Sequence, residues 1–201
     1  MKKELEILST RYSCRDFSDA KLSSEDLRQI LEIARLSPSS LGLEPWKFIL
    51  TEDRVKLQEL AQIANKQIHV AQAAAVIIIV SRLDFSQYFE SKLRKRKMSE
   101  GELNMRLKTY KPFLDGMNEA QKLAYAREQA HIALASILYA ANALNIGTCT
   151  IGGFDKKALN DYLKLDTNKE QASLMIALGK KASTQIPEKT RFDFDEVVRF
   201  L

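Results

Sequence analysis

The segment from Glu119 to Leu144 constrains the fold most. Within it, AYAREQAHIALASILYAANAL is alanine-rich and apolar almost all round, with polar residues at only a few places. The pattern predicts a helix of about 39 Å, at a rise of 1.5 Å per residue. A helix lying on a protein surface would show one clearly polar face. This one is expected to be the central core helix, buried in the middle of something.

The remaining chain reads as elements arranged around it. After an amphipathic stretch, Lys3 to Ser9, Ser23 is expected to cap a helix with Asp26 as its capping-box partner, and Leu27, Ile30, Leu31 and Ala34 recur at helical spacing. SPSSLGLEPW must be a loop, because Pro38, Gly42 and Pro45 forbid continuation. WKFILT reads as a strand, Glu52 to Gln67 as a helix and Val76 to Val80 as a central strand. A charged helical segment covers Phe85 to Lys111. Gly147 is expected to end the core helix as its C-cap. TCTI is then a short strand, GGFD turns into a helix capped by Asp155, and SLMIALG is a strand closed by Gly179. The tail IPEKTRFDFDEVVRFL has too few core positions for a domain of its own and should embrace another surface, such as a partner subunit. The expectation is one α+β domain over residues 1–201.

Several classes of function are disfavoured. The longest apolar run, AAAVIIIV, falls far short of the roughly 20 residues that span a bilayer, and MKKELEIL meets Glu4 and Glu6 before an apolar stretch can develop, so no membrane span or secretory signal is read and a cytoplasmic protein is expected. Two cysteines and two histidines, far apart in sequence, assemble no metal cluster. The net charge of +5 lies largely in KLRKRKMSEGELNMRLKTYK, whose acidic residues fit a solvated helix and which lacks the aromatics of a single-strand nucleic-acid platform. The seven glycines form neither GxGxxG nor GxxxxGK[ST], and no GxSxG or HExxH is present.

What remains is TRYSCRDF, Thr10 to Phe17. Cys14 between Arg11 and Arg15 could be an activated thiol, but no nearby histidine or resolving cysteine accompanies it. If the stretch is extended, Arg11, Ser13 and Arg15 point the same way and offer two guanidiniums and a hydroxyl to one anionic or carbonyl-rich ligand. A surface turn with ordinary arginines is the plain alternative. Lys189 and Arg191 repeat the period of two at the other end of the chain.

RYSCRDF, then SPSSLGLEPW after the first capped helix, IGGFD after the long helix and KTR after the last strand together resemble the flavin-dependent nitroreductase family over nearly the whole chain. The resemblance implies a nitroreductase-like fold, a central mixed or antiparallel sheet wrapped by helices. It further implies a homodimer with FMN at the subunit interface, the long helix as interface core and the tail crossing to the partner. The implied activity is FMN-dependent NAD(P)H oxidoreduction, with NADH or NADPH as donor and nitroaromatics, quinones or similar acceptors reduced by ping-pong hydride transfer through flavin N5. A specialised flavoenzyme of the same fold, or a flavin-binding protein without turnover, is the rival reading.

Carried over by position, Arg11, Tyr12, Ser13 and Arg15 would hold the FMN phosphate, ribityl chain and pyrimidine edge. Lys189 and Arg191 would clamp the phosphate. Pro38, Ser39 and Ser40 would come from the other subunit. Gly152, through its backbone amide near N5, and Gly153 would lie against the flavin. Gln129 would be near the cofactor, unless it is simply a buried glutamine satisfied by backbone, and Lys66, Gln67 or His69 would touch the pyrimidine ring. Residues 85–118 would form a helical excursion over the active site. Two departures stand out: Gly42 and Glu44 occupy amide positions of the N-x-Q-P-W pattern, and Gly152 stands where many members carry glutamate.

Overall fold

The structure is a computed structural model that describes residues 2–201. Its helices are α1 (Lys3–Thr10), α2 (Ser24–Arg35), α3 (Arg54–Ile63), α4 (Ile68–Ala71), α5 (Phe85–Arg94), α6 (Glu100–Asp115), α7 (Glu119–Ala143), α8 (Lys156–Tyr162) and α9 (Phe194–Val197). Its strands are β1 (Trp46–Thr51), β2 (Ala75–Arg82), β3 (Ile146–Ile151) and β4 (Glu170–Lys180). The strands form one sheet in the order β1-β2-β4-β3, antiparallel throughout. Of the two sheet types expected, the regular ladder is thus antiparallel; a parallel pairing occurs as a single bridge, Ser13 to Thr148.

Strand period two explains how the sheet carries two cores. Ala75, Ile77 and Ile79 of β2 face α2 and α7, whereas Val76, Ile78 and Val80 face α3 and α8. Every one of these side chains is buried, so β2 reads as the continuous apolar run AVIIIV.

α7 begins with a full capping box: Asn118 Oδ1 accepts from the Gln121 amide and Gln121 Oε1 from the Asn118 amide, both at 2.9 Å. Ala126, Ala130, Ala133, Ile137 and Ala141 are wholly buried. The opposite face is not covered by this chain, with Ile132 39% and Tyr139 38% exposed. All-round apolarity therefore reflects one face packed on the sheet and a second face left open.

Four expectations are corrected. The α7 C-cap is Leu144, with Asn145 taking the left-handed turn at φ 55°, and Gly147 lies inside β3. Gly179 lies inside β4 rather than closing it. The helix expected over 52–67 ends at Ile63, because Asn65 and Lys66 adopt φ 56° and 61°, and α4 follows as a separate turn. Ser23 does cap α2 by accepting from the Asp26 amide at 3.0 Å, but Asp26 does not complete the expected capping box; its carboxylate lies 3.8 Å from Lys180.

The excursion is α5 and α6. It builds its own core from Phe85, Phe89, Leu93, Leu103 and Leu114, closed by Leu43 and Ala126.

Candidate flavin site

Two glycines fix where TRYSCRDF lies. Gly147 of β3 and Gly179 of β4 are directly paired across the sheet. A Cβ on Gly147 would come within 2.9 Å of Cys14 Sγ, and a Cβ on Gly179 within 2.7 Å of the Phe17 ring. The pair forms a floor without side chains on which the motif rests. Backbone hydrogen bonds complete the seat: Cys14 N–H to Thr148 O at 2.9 Å, Ser18 N–H to Lys180 O at 2.9 Å and Ala182 N–H to Asp16 O at 3.2 Å. In the sequence both glycines look like terminators, because the neighbours that require them lie far away in the chain.

Seated this way, the motif turns two of its side chains inward. Cys14 and Phe17 are buried, while Ser13 and Arg15 are exposed. The Cys14 thiol points into the core and donates to Asp16 O at 3.2 Å, which removes it as an accessible nucleophile. Lys181 Nζ lies 5.6 Å from the centre of the Tyr12 ring. Between motif and tail is a cavity of about 380 Å³ lined by Tyr12, Cys14, Arg15, Asp16, Ser183, Gln185 and Pro187. Two roomier hollows, an apolar groove between α2 and β1 and a polar one beside α5, touch neither the motif nor the tail.

The tail brings Lys189 to the end of α1, where its ammonium donates to Arg11 O. Lys189 is exposed, yet partial loss of water around its ammonium lowers its pKa, and the positive charges of Arg11 and Arg191 lower it further. Lys189 and Arg11 therefore meet at one place, with Arg191 two residues further along the tail. Neither they nor Arg15 form an ion pair with a carboxylate among the described residues. Such repulsion is relieved by a bound polyanion.

The IGGFD turn follows β3. A Cβ on Gly152 or Gly153 would meet nothing within 4 Å, and neither residue has a positive φ. No packing or backbone demand of this chain requires glycine there, so the missing side chains leave room for a ligand to approach the backbone. Asn65 Nδ2 and Gln67 Nε2 both donate to Gly153 O at 3.0 Å. The amide of Gln67 thus orients the turn.

His69, on α4, is 6% exposed, and its Nε2 is buried without a hydrogen-bond partner. Burial lowers its pKa, and the Arg15 charge adds to the effect. In NMR titration the His69 ring should protonate below the ordinary histidine value of 6.5. Since the unfolded chain would take up that proton first, stability should fall as pH drops from about 6.5 toward the folded-state midpoint. A midpoint at or above 6.5 would contradict this.

Pro38, Ser39 and Ser40 follow α2, in a loop held to α7. The buried Gln129 accepts from the Ser40 amide at 2.8 Å, the backbone-satisfied alternative, and Ser39 Oγ accepts from the Glu44 amide at 2.8 Å.

An antiparallel α+β sheet carrying this layout is the nitroreductase fold. A candidate nitroreductase from Exiguobacterium sibiricum, solved in complex with FMN, superposes with a TM-score of 0.87 over 100% of this chain and 98% of its own at 20% identity. The nitroreductase family model matches residues 8–180, and the chain belongs to that family of oxidoreductases. A relative from Staphylococcus saprophyticus, named as a candidate NAD(P)H nitroreductase, is 32% identical over 98% of this chain and 96% of its own. An oxygen-insensitive NADPH nitroreductase from Helicobacter pylori is 28% identical over 95% and 94%. No helix among the described residues is long and apolar enough to cross a membrane.

Proposed function

We propose that this protein is an FMN-dependent NAD(P)H oxidoreductase working as a homodimer, with the flavin between the Arg11–Arg15 motif, the Gly152–Gly153 turn and the tail. The observation that carries the reading is Lys189 meeting Arg11 at the end of α1, with Arg191 two residues along the tail, cations that form no ion pair with a carboxylate among the described residues. The open glycine turn and the orphaned His69 Nε2 fit the same group.

FMN, when bound, supplies two-electron chemistry, taking hydride from NADH or NADPH and giving it in turn to a nitroaromatic, quinone or similar acceptor. The chain's part is to bind and orient. Arg11, Lys189 and Arg191 hold the phosphate, and Tyr12 and Ser13 the ribityl chain. Arg15, a fixed cation on the pyrimidine side, stabilises negative charge there. Gly152 offers its backbone N–H and excludes no acceptor by a side chain of its own. Gln67 and Asn65 keep the turn in place through Gly153 O.

Pro38, Ser39 and Ser40 of the partner subunit close the site. Dimerisation is supported by apolar surface this chain leaves uncovered: Leu5, Ile33, Leu36 and Ile132 on the helices, and Phe192 and Phe200 on the tail, the last 82% exposed. The absence of a GxGxxG motif is compatible, since nicotinamide and acceptor would use the same open flavin face one after the other.

The test is a steady-state panel of nitroaromatic and quinone acceptors with both nicotinamides on FMN-loaded protein. Turnover with parallel double-reciprocal lines is expected. Absence of turnover with every donor and acceptor pair would overturn the assignment.

A further inference from the structure

Three side chains of the excursion converge on one loop. Tyr88 and Lys92 of α5 and Arg96, just past its end, follow at four-residue spacing and so lie on one side. The Tyr88 hydroxyl donates to Leu43 O at 3.3 Å, and the Lys92 ammonium pairs with the Glu44 carboxylate at 2.6 Å. Arg96 Nη2 donates to Leu41 O at 2.8 Å and Gly42 O at 3.3 Å.

The gripped backbone is a tight turn, with Gly42 N–H to Ser39 O at 2.9 Å and Leu43 N–H to Ser40 O at 3.1 Å, in a conformation that needs support from outside. Leu41, Gly42 and Glu44 have φ of 54°, 61° and 48°, a left-handed region that residues with side chains enter only when their surroundings impose it. A Cβ on Gly42 would lie 2.1 Å from Arg96 Nη2, so the guanidinium fills the volume any side chain there would take. From the other side, Gln129 and Ser39 hold the Ser40 and Glu44 amides. The loop is fixed between α7 and α5, and both residues that depart from the amide pattern, Gly42 and Glu44, are met by a cation of the excursion.

We propose that Tyr88, Lys92 and Arg96 form a clasp that sets the 38–44 loop and thereby positions Pro38, Ser39 and Ser40, joining the excursion and that wall of the flavin site into one body. Arg96 is the main positioning residue. The proposal rests on the assignment of Pro38, Ser39 and Ser40 to the flavin.

The test compares wild type with Arg96→Ala, Arg96→Lys, Gly42→Ala and the Gly42→Ala/Arg96→Ala double variant. FMN affinity, amide hydrogen exchange of residues 39–44 and thermal midpoint are measured on each. Arg96→Ala should weaken FMN binding about tenfold, the scale of a lost charge-assisted hydrogen bond, and speed exchange in the loop with little change in midpoint. Arg96→Lys should recover part of the loss. Gly42→Ala should weaken FMN binding and speed loop exchange likewise by expelling the guanidinium, with a lower midpoint as well because alanine is strained at φ 61°, and the double variant should be no worse than Gly42→Ala alone. Loop exchange unchanged in Arg96→Ala, or two substitutions acting independently, would overturn the clasp. Unchanged FMN affinity with faster exchange would overturn the link to the flavin wall. Wild type that fails to bind FMN would defeat the flavin assignment instead, and loop exchange would still decide the clasp.

Discussion

Replacing Lys189 and Arg191 together with alanine is expected to raise the FMN dissociation constant by about a hundredfold or more, as two charge-assisted contacts at about 1.5–3 kcal/mol each would imply. The magnitude is large because Lys189 is held against Arg11 and neither cation pairs with a carboxylate among the described residues, so their mutual repulsion is relieved when a phosphate arrives. Folding should be almost untouched. The tail around both residues is exposed and contributes no core side chain. Flavin fluorescence titration should show the loss, and the wild-type affinity should itself weaken with salt as the phosphate contacts are screened. An affinity equal to wild type in the double variant would remove these residues from the phosphate site.

The second large effect separates glycines by location. Gly147→Ala and Gly179→Ala should each cost about 1–3 kcal/mol in urea unfolding, the usual range for overpacking. The added methyl groups would collide with Cys14 and with the Phe17 ring. Because those residues seat the motif, FMN affinity should fall along with stability. Gly152→Ala meets open space, so stability should stay within about 0.5 kcal/mol of wild type, as for substitutions away from packed features, with FMN retained. Equal losses at all three positions would mean that the motif is not seated on the Gly147–Gly179 floor.

The same glycines show what sequence could and could not reveal. β2 was legible because AVIIIV permits hardly anything but a strand buried on both faces. α2 and α8 were legible because Ser23 and Asp155 are chemical start signals, and both caps are formed. Gly147 and Gly179 misled because a glycine in one dimension reads as a stop, whereas their reason lies in Cys14 and Phe17, more than a hundred residues away. The break at Asn65 and Lys66 gave little warning, since lysine rarely takes a positive φ.

Within the site, the inward Cys14 between the exposed Ser13 and Arg15 could be read from period two, whereas Arg11 and Tyr12 are alike half-buried. The convergence of Lys189 with Arg11 could not, because it depends on how the tail folds back. His69 was one of three unresolved neighbours in NKQIHV; its burial becomes visible only once α4 is turned away from α3. Gln129 resolves toward a loop-holding role, with Ser40 as its partner. The clasp of Arg96 on Gly42 had a faint sequence signal in the two departures from the amide pattern, but its partner could not be named without the fold.

Anaerobic addition of NADH or NADPH to purified, FMN-saturated protein tests the central claim most directly. The account predicts that the yellow flavin absorbance bleaches on adding at least one nicotinamide and returns when a nitroaromatic or quinone is introduced. Protein that takes up no FMN, or that holds FMN which neither nicotinamide bleaches, would contradict it.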